Sequence, residues 1–173
     1  MSFDSYRIKN KIIAKIVTRF PNLAKKFIDS YDPWNALDTP WTAVSKALSD
    51  SKIAFVTTAG VHHTDQTCFD MRDPEGDPSY RLIDLKRPIS TLMITHDYYD
   101  HTDADRDINI VFPIERLKEF EKEGIIGRVA DIHYSFMGHI IGRHISTLVK
   151  KSAPEVARKL KEDHVDVVLL APG

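Results

Sequence analysis

Cysteine is nearly missing from this sequence: Cys68 is its one thiol, which excludes an internal disulfide framework and a four-cysteine metal site and fits a reducing, cytoplasmic setting. Long apolar runs are missing as well. No stretch approaches the roughly 20 residues of a membrane span, and the N-terminus lacks the apolar core and small-residue cleavage site of a secretory signal, so a soluble protein is expected. An excess of either charge is lacking too, with 24 Lys and Arg against 25 Asp and Glu. That balance carries no polyelectrolyte signature, and neither nucleic acid nor membrane is an expected partner. Gly60, after a strand-like run, is not accompanied by the spaced glycines that cradle a pyrophosphate. Internal repeats and low-complexity tracts are absent.

What is present suffices for one domain with its own core. Ile8, Ile12, Ile13, Ile16, Val17 and Phe20 recur at helical spacing among Arg7, Lys9, Lys11, Lys15 and Arg19, the pattern of a basic amphipathic helix. After Pro21 the stripe resumes with Leu23, Ala24, Phe27 and Ile28. It is expected to dock on its own domain or on a sister subunit of an oligomer. Residues 1–38 are thus read as a helical extension and linker, and residues 39–173 as an α/β domain. Thr39 and Pro40 have the form of an N-cap and first turn, predicting a short helix to about Leu48.

Lys52 to Thr58 is a near-continuous apolar, β-branched run closed by Ala59-Gly60, the look of a buried parallel strand. Residues 61–84 read as a long polar loop, with Cys68 in it as a small buried apolar residue. Strands are predicted at about 91–95, 129–136 and 165–170, the last again a buried parallel-strand run. Helices are predicted from Pro113, with Ile114, Leu117 and Phe120 on one face, and from Pro154 to about Asp163 behind a Ser152-Ala153-Pro154-Glu155 capping box. This alternation predicts an open, mostly parallel sheet with flanking helices in Rossmann-like layers.

Ligands of such sheets bind outside the carboxyl ends of the strands. Histidines follow three of the predicted strand ends, at His62, His96 and His139. His96 also opens the polar run from His96 to Asn109, read as an ordered loop. Imidazole and carboxylate groups suit general acid–base work. His62, His96, His101, Asp103 and Asp105 are the candidate catalytic residues. Asp97, Asp100, Arg106, Asn109 and His139 are candidates for substrate binding, with the carboxylates for an ammonium and Arg106 for a carboxylate. The same donors offer a metal-dependent hydrolase or lyase as the alternative, although their spacing matches no zinc or calcium motif and no metal site is assigned. A non-catalytic subunit or inert fragment is the other alternative.

Several blocks carry a resemblance. Thr57-Thr58-Ala59-Gly60-Val61-His62, Phe69-Asp70, Asp73 to Arg81, His96 to Asn109 with Phe112-Pro113-Ile114, and Ser135-Phe136-Met137-Gly138-His139 resemble the selenoprotein B family of glycine, sarcosine, betaine and D-proline reductases. The resemblance runs from about Lys52 to the last residue. It implies reductive cleavage of the carbon–nitrogen bond of a small amino acid or N-methylated amine in anaerobic amino-acid metabolism. It also implies partner subunits, one of them carrying a pyruvoyl group, and a selenocysteine just after Gly173. On that expectation the C-terminal part of the family's domain is missing, the codon after Gly173 is UGA, and no cofactor belongs to the 173-residue chain itself.

Overall fold

The computed structural model describes residues 5–20, 22, 25, 29 and 42–173. The stripe at Leu23, Ala24, Phe27 and Ile28, the linker, the boundary at residue 38 and the Thr39-Pro40 cap lie outside them. Helix α1 spans Ser5–Arg19. Residues 42–47 are not helical, which corrects the helix predicted up to Leu48; a single 3-10 turn at Leu48–Asp50 leads into the sheet instead.

Five strands form the main sheet: β1 (Lys52–Thr57), β3 (Arg81–Asp84), β5 (Arg128–Val129), β6 (Ile132–Ser135) and β7 (Val167–Ala171). β1 is central, parallel to β7 on one side and to β5 then β6 on the other, and β3 closes the far edge antiparallel to β6. The sheet is therefore mixed but mostly parallel, as the alternation predicts. Side chains alternate along β1 into two cores. Ile53 and Phe55 pack with Phe112 and with Ile114 and Leu117 of helix α2 (Ile114–Lys122). Ala54 and Val56 pack with Tyr134, Val156 and Leu160, the last two from helix α4 (Ala153–Glu162). Burial on both faces explains the unbroken apolar run of β1.

Four expectations change. Val61–His63 is not loop but strand β2, which pairs antiparallel with β4 (Leu92–Ile94) in a two-stranded ladder beside the main sheet. The predicted 165–170 strand is an edge rather than a buried strand, and Leu170 is 77% exposed. The capping box is unused: Ser152 has helical dihedrals and makes no side-chain cap, because helix α3 (Arg143–Thr147) continues through a π turn at Leu148–Ser152 into α4. Glu155 instead accepts from the Tyr80 hydroxyl at 2.8 Å. Cys68 is exposed; its carbonyl receives Arg81, whose guanidinium lies 4.2 Å over the Phe69 ring and turns that loop around itself.

The predicted third strand is broken between β5 and β6, and a side chain repairs the gap. The Phe55 amide of β1 donates to His133 Nδ1 at 2.8 Å, while His133 Nε2–H donates to the Ala130 carbonyl at 2.9 Å. A neutral imidazole thus replaces a backbone carbonyl in the ladder and satisfies the buried Phe55 amide. Burial pushes the His133 pKa down to about 4.

Gly60 turns the chain off β1 with φ +73°, and a Cβ there would meet the Thr95 carbonyl oxygen at 2.5 Å. The same peptide ties the two sheets, its N–H donating to Phe136 O and its carbonyl accepting from Thr95 N. Gly60→Ala is expected to cost about 2 kcal/mol in chemical denaturation, from the left-handed dihedral and the clash together. A midpoint like that of the wild type would show that the turn relaxes freely.

Candidate active-site rim

The carboxyl ends of β1, β4, β6 and β7 meet at one rim, and the polar run after β4 forms its outer wall. His62 lies beneath it, fully buried. Its Nδ1–H donates to the His63 carbonyl and its Nε2 accepts from the Thr95 hydroxyl, both at 2.8 Å. Desolvation lowers its pKa. It therefore positions Thr95, the residue before His96, and does not open onto the rim. His96 is buried too: its Nδ1 accepts from the Tyr98 amide at 3.1 Å, its ring bonds to the Met137 backbone, and burial takes its pKa down to about 4. His139 stacks on the Tyr98 ring at 3.8 Å and donates to the Pro74 carbonyl at 2.9 Å. Two of the three strand-end histidines thus flank one tyrosine, and the third supports the strand behind it.

Asp97 has a fully buried carboxylate, and α1 supplies its cations. Arg7 reaches it with Nε at 2.6 Å and Nη2 at 3.1 Å, and Lys11 Nζ lies 3.5 Å away. Tyr6 and Tyr98 share a hydroxyl contact at 3.1 Å. Through these contacts α1 docks on its own domain. The half-buried side comprises Tyr6, Arg7, Asn10 and Val17 with the buried Ala14, whereas Ile8, Ile12, Ile13, Ile16 and Phe20 are exposed.

The rest of the loop divides in two. Asp100 accepts from the Thr102 hydroxyl at 2.5 Å, which lowers its carboxyl pKa. His101 Nδ1 lies 2.8 Å from Asp105 Oδ2, and its Nε2 lies 3.1 Å from the His96 carbonyl oxygen. Tyr99 bridges back to the Ala59 carbonyl at 3.0 Å, with its phenol pushed up in pKa by burial. By contrast, Arg106 and Asp103 pair with each other on the outer surface, with side chains 76% and 79% exposed. Asn109 caps α2, its Oδ1 accepting the Glu115 amide at 3.1 Å. The rim therefore gathers His96, His101, His139, Asp97, Asp100 and Asp105, and leaves Asp103, Arg106 and Asn109 outside it.

A cavity of about 300 Å³ lies between α1 and this loop. Lys11, Lys15, Ile8 and Ile12 form one wall; Tyr99, Asp100, His101, Thr102 and Asp105 form the other. Among the described residues, no three His, Cys, Asp or Glu side chains are grouped to hold a metal ion. No helix of the described residues is long and apolar enough to cross a membrane. At the rim the Gly173 amide also donates to Thr58 Oγ1 at 3.1 Å, so the segment after β7 runs alongside Thr58 and Ala59. A clasp missed by sequence reasoning holds the neighbouring loop. Arg143 binds Asp73 and Glu75, and His144 donates to Asp73 at 3.0 Å, lowering the Asp73 pKa. Its members lie about 70 positions apart in sequence, so no local pattern marks it.

Residues 36–172 match the family described as glycine/sarcosine/betaine reductase selenoprotein B. The chain is similar to D-proline reductase subunit gamma of Acetoanaerobium sticklandii, 40% identical over 133 residues, covering 77% of this chain and 53% of that protein. It is also similar to glycine reductase complex component B subunit gamma of Symbiobacterium thermophilum, 32% identical over 138 residues, covering 72% and 29%. Betaine reductase complex component B subunit beta of Peptoclostridium acidaminophilum is 32% identical over 134 residues, covering 72% and 28%. The chain thus spans about half the length of the first of these relatives and under a third of the other two. No solved structure matches it at a significant level.

Proposed function

Because this chain belongs to the glycine/sarcosine/betaine reductase selenoprotein B family, we propose that it is part of an amino-acid reductase complex that cleaves the carbon–nitrogen bond of glycine, sarcosine, betaine or D-proline. One observation carries this reading onto the residues. The end of β7 comes to the rim, with the Gly173 amide bonded to Thr58, beside Ala59, whose carbonyl binds Tyr99. A selenocysteine just after Gly173 would emerge there. It would supply a selenolate, ionised at neutral pH where an ordinary thiol is mostly protonated.

The chain's own residues have separable tasks around that point. His101 faces the Asp105 carboxylate with one ring nitrogen and the His96 carbonyl with the other, an arrangement suited to holding the proton that a leaving amine takes. Asp100 lines the cavity as a carboxylate for a substrate ammonium. His96 and His62 are buried and do not line the cavity, so they fix the loop rather than exchange protons, whereas His101 lines it. Partner subunits of the complex, one bearing a pyruvoyl group that activates amino substrates, belong to the same reading.

The test begins with selenium. A selenocysteine is expected by mass spectrometry on the segment that follows β7, and a protein carrying none there would overturn its placement. The selenium-containing protein, combined with its partner subunits, is then expected to reduce one of the four substrates, and His101→Ala to lower kcat about a hundredfold, as loss of a general acid does. An unchanged kcat would remove His101 from proton transfer.

A further inference from the structure

We infer that α1 supplies the carboxylate-binding wall of the rim cavity, with Lys11 and Lys15 taking the acid group of a small zwitterion whose nitrogen lies against Asp100 and Asp105. This rests on the reading above that the rim loop receives a small amine-bearing acid. It adds a substrate-binding element from outside residues 36–172, the span that matches the family.

The cavity's walls carry opposite charge. Lys11 and Lys15 are four residues apart and so project from one face of α1, with Ile12 lining the wall beside them. Across the opening stand Asp100 and Asp105. Lys11 pairs with Asp97 and Asp105 with His101, so the walls do not close on each other and an open volume separates them. At about 300 Å³ that volume is at the small end for ligand sites. An amine and a carboxylate one or two carbons apart match a gap between an acidic and a basic wall. Arg106, the residue expected to hold the carboxylate, points outward to Asp103 and is not part of the lining, which among the described residues leaves the two lysines as its cations. The Asp100 carboxyl is held below its usual range by the Thr102 hydroxyl and its amide, with Lys15 contributing. The Asp100 carboxylate is therefore charged at neutral pH.

Calorimetric titration of the 173-residue chain with glycine, sarcosine, betaine and D-proline, each beside the corresponding amide, tests the inference. The double variant Lys11→Ala/Lys15→Ala is expected to weaken binding of the acid about tenfold, the loss of one charge-assisted contact, and not to weaken binding of its amide, which keeps the ammonium and lacks the carboxylate. Asp100→Asn is expected to weaken both. A lysine variant that binds the acid like the wild type would overturn the inference and leave the loop reading standing. An Asp100→Asn/Asp105→Asn variant without effect, beside a weakened lysine variant, would overturn the loop reading and with it the placement of the nitrogen. If the wild-type chain binds none of the four acids, both are overturned.

Discussion

Acidification from pH 7 to pH 4 is expected to unfold this domain, with two buried histidines responsible for most of the loss. His133 and His96 each have a pKa taken from 6.5 to about 4 by burial. An unfolded chain binds a proton at each ring first, so it is favoured as soon as pH falls below the unfolded value. Each ring accordingly contributes about 3 kcal/mol that is complete above pH 6.5, erodes as pH falls and is gone below about pH 4. Lowered pKa values at His62 and His63, again from burial, act in the same direction. Urea midpoints measured from pH 7.5 to pH 4.5 check this. His133→Leu is expected to flatten the dependence by one proton while costing about 2 kcal/mol at neutral pH, because the Phe55 amide loses its acceptor. A midpoint that does not move with pH would mean that the rings are protonated within the fold.

Arg7→Ala is expected to release α1 from the rim while the domain stays folded. Asp97 is fully buried at its side chain and Arg7 is 37% exposed there, so the pair lies between a surface ion pair and a buried one. Its loss costs about 2 kcal/mol. Among the described residues, Lys11 stands farther off at 3.5 Å and Tyr6 shares a hydroxyl contact with Tyr98. A shift of that size changes the docked-to-free ratio about thirtyfold. Hydrogen exchange at the amides of α1 reads it directly, with faster exchange there and unchanged protection in β1. Equal protection in α1 would show that the helix is held by other contacts.

The parts of the fold legible in sequence are those where burial is two-sided or periodicity is long. β1 is such a case, apolar on both faces, and α2 and α4 show their inward residues at Ile114, Leu117, Val156 and Leu160. β2 and β3 were hidden because they span three and four residues and carry histidine, arginine and aspartate. His133 gave no sign at all, since one imidazole standing in for a carbonyl leaves no trace in the residues around it. At the rim, the histidines after strands led to His96 and His139, which do share Tyr98. The same signal misplaced His62, because the residue after Val61 belongs to a strand and its ring turns inward. Charge density in the 96–109 loop could not separate a solvated pair such as Asp103–Arg106 from cavity-lining groups such as Asp100 and Asp105. The partners of Asp97 lie about 90 positions away, beyond the reach of any local pattern.

The outward-facing isoleucines of α1 bear on its thermodynamics. Ile8, Ile12, Ile13, Ile16 and Phe20 are 39–57% exposed while the helix is docked, so undocking uncovers little further apolar surface. Heat capacity tracks apolar exposure; the docking step should therefore be nearly flat in temperature, although global unfolding is steeply curved. Ionic strength is its natural control, because the contacts that hold it are charges in partial contact with solvent. Cooling and warming would act on the core, and salt on the helix.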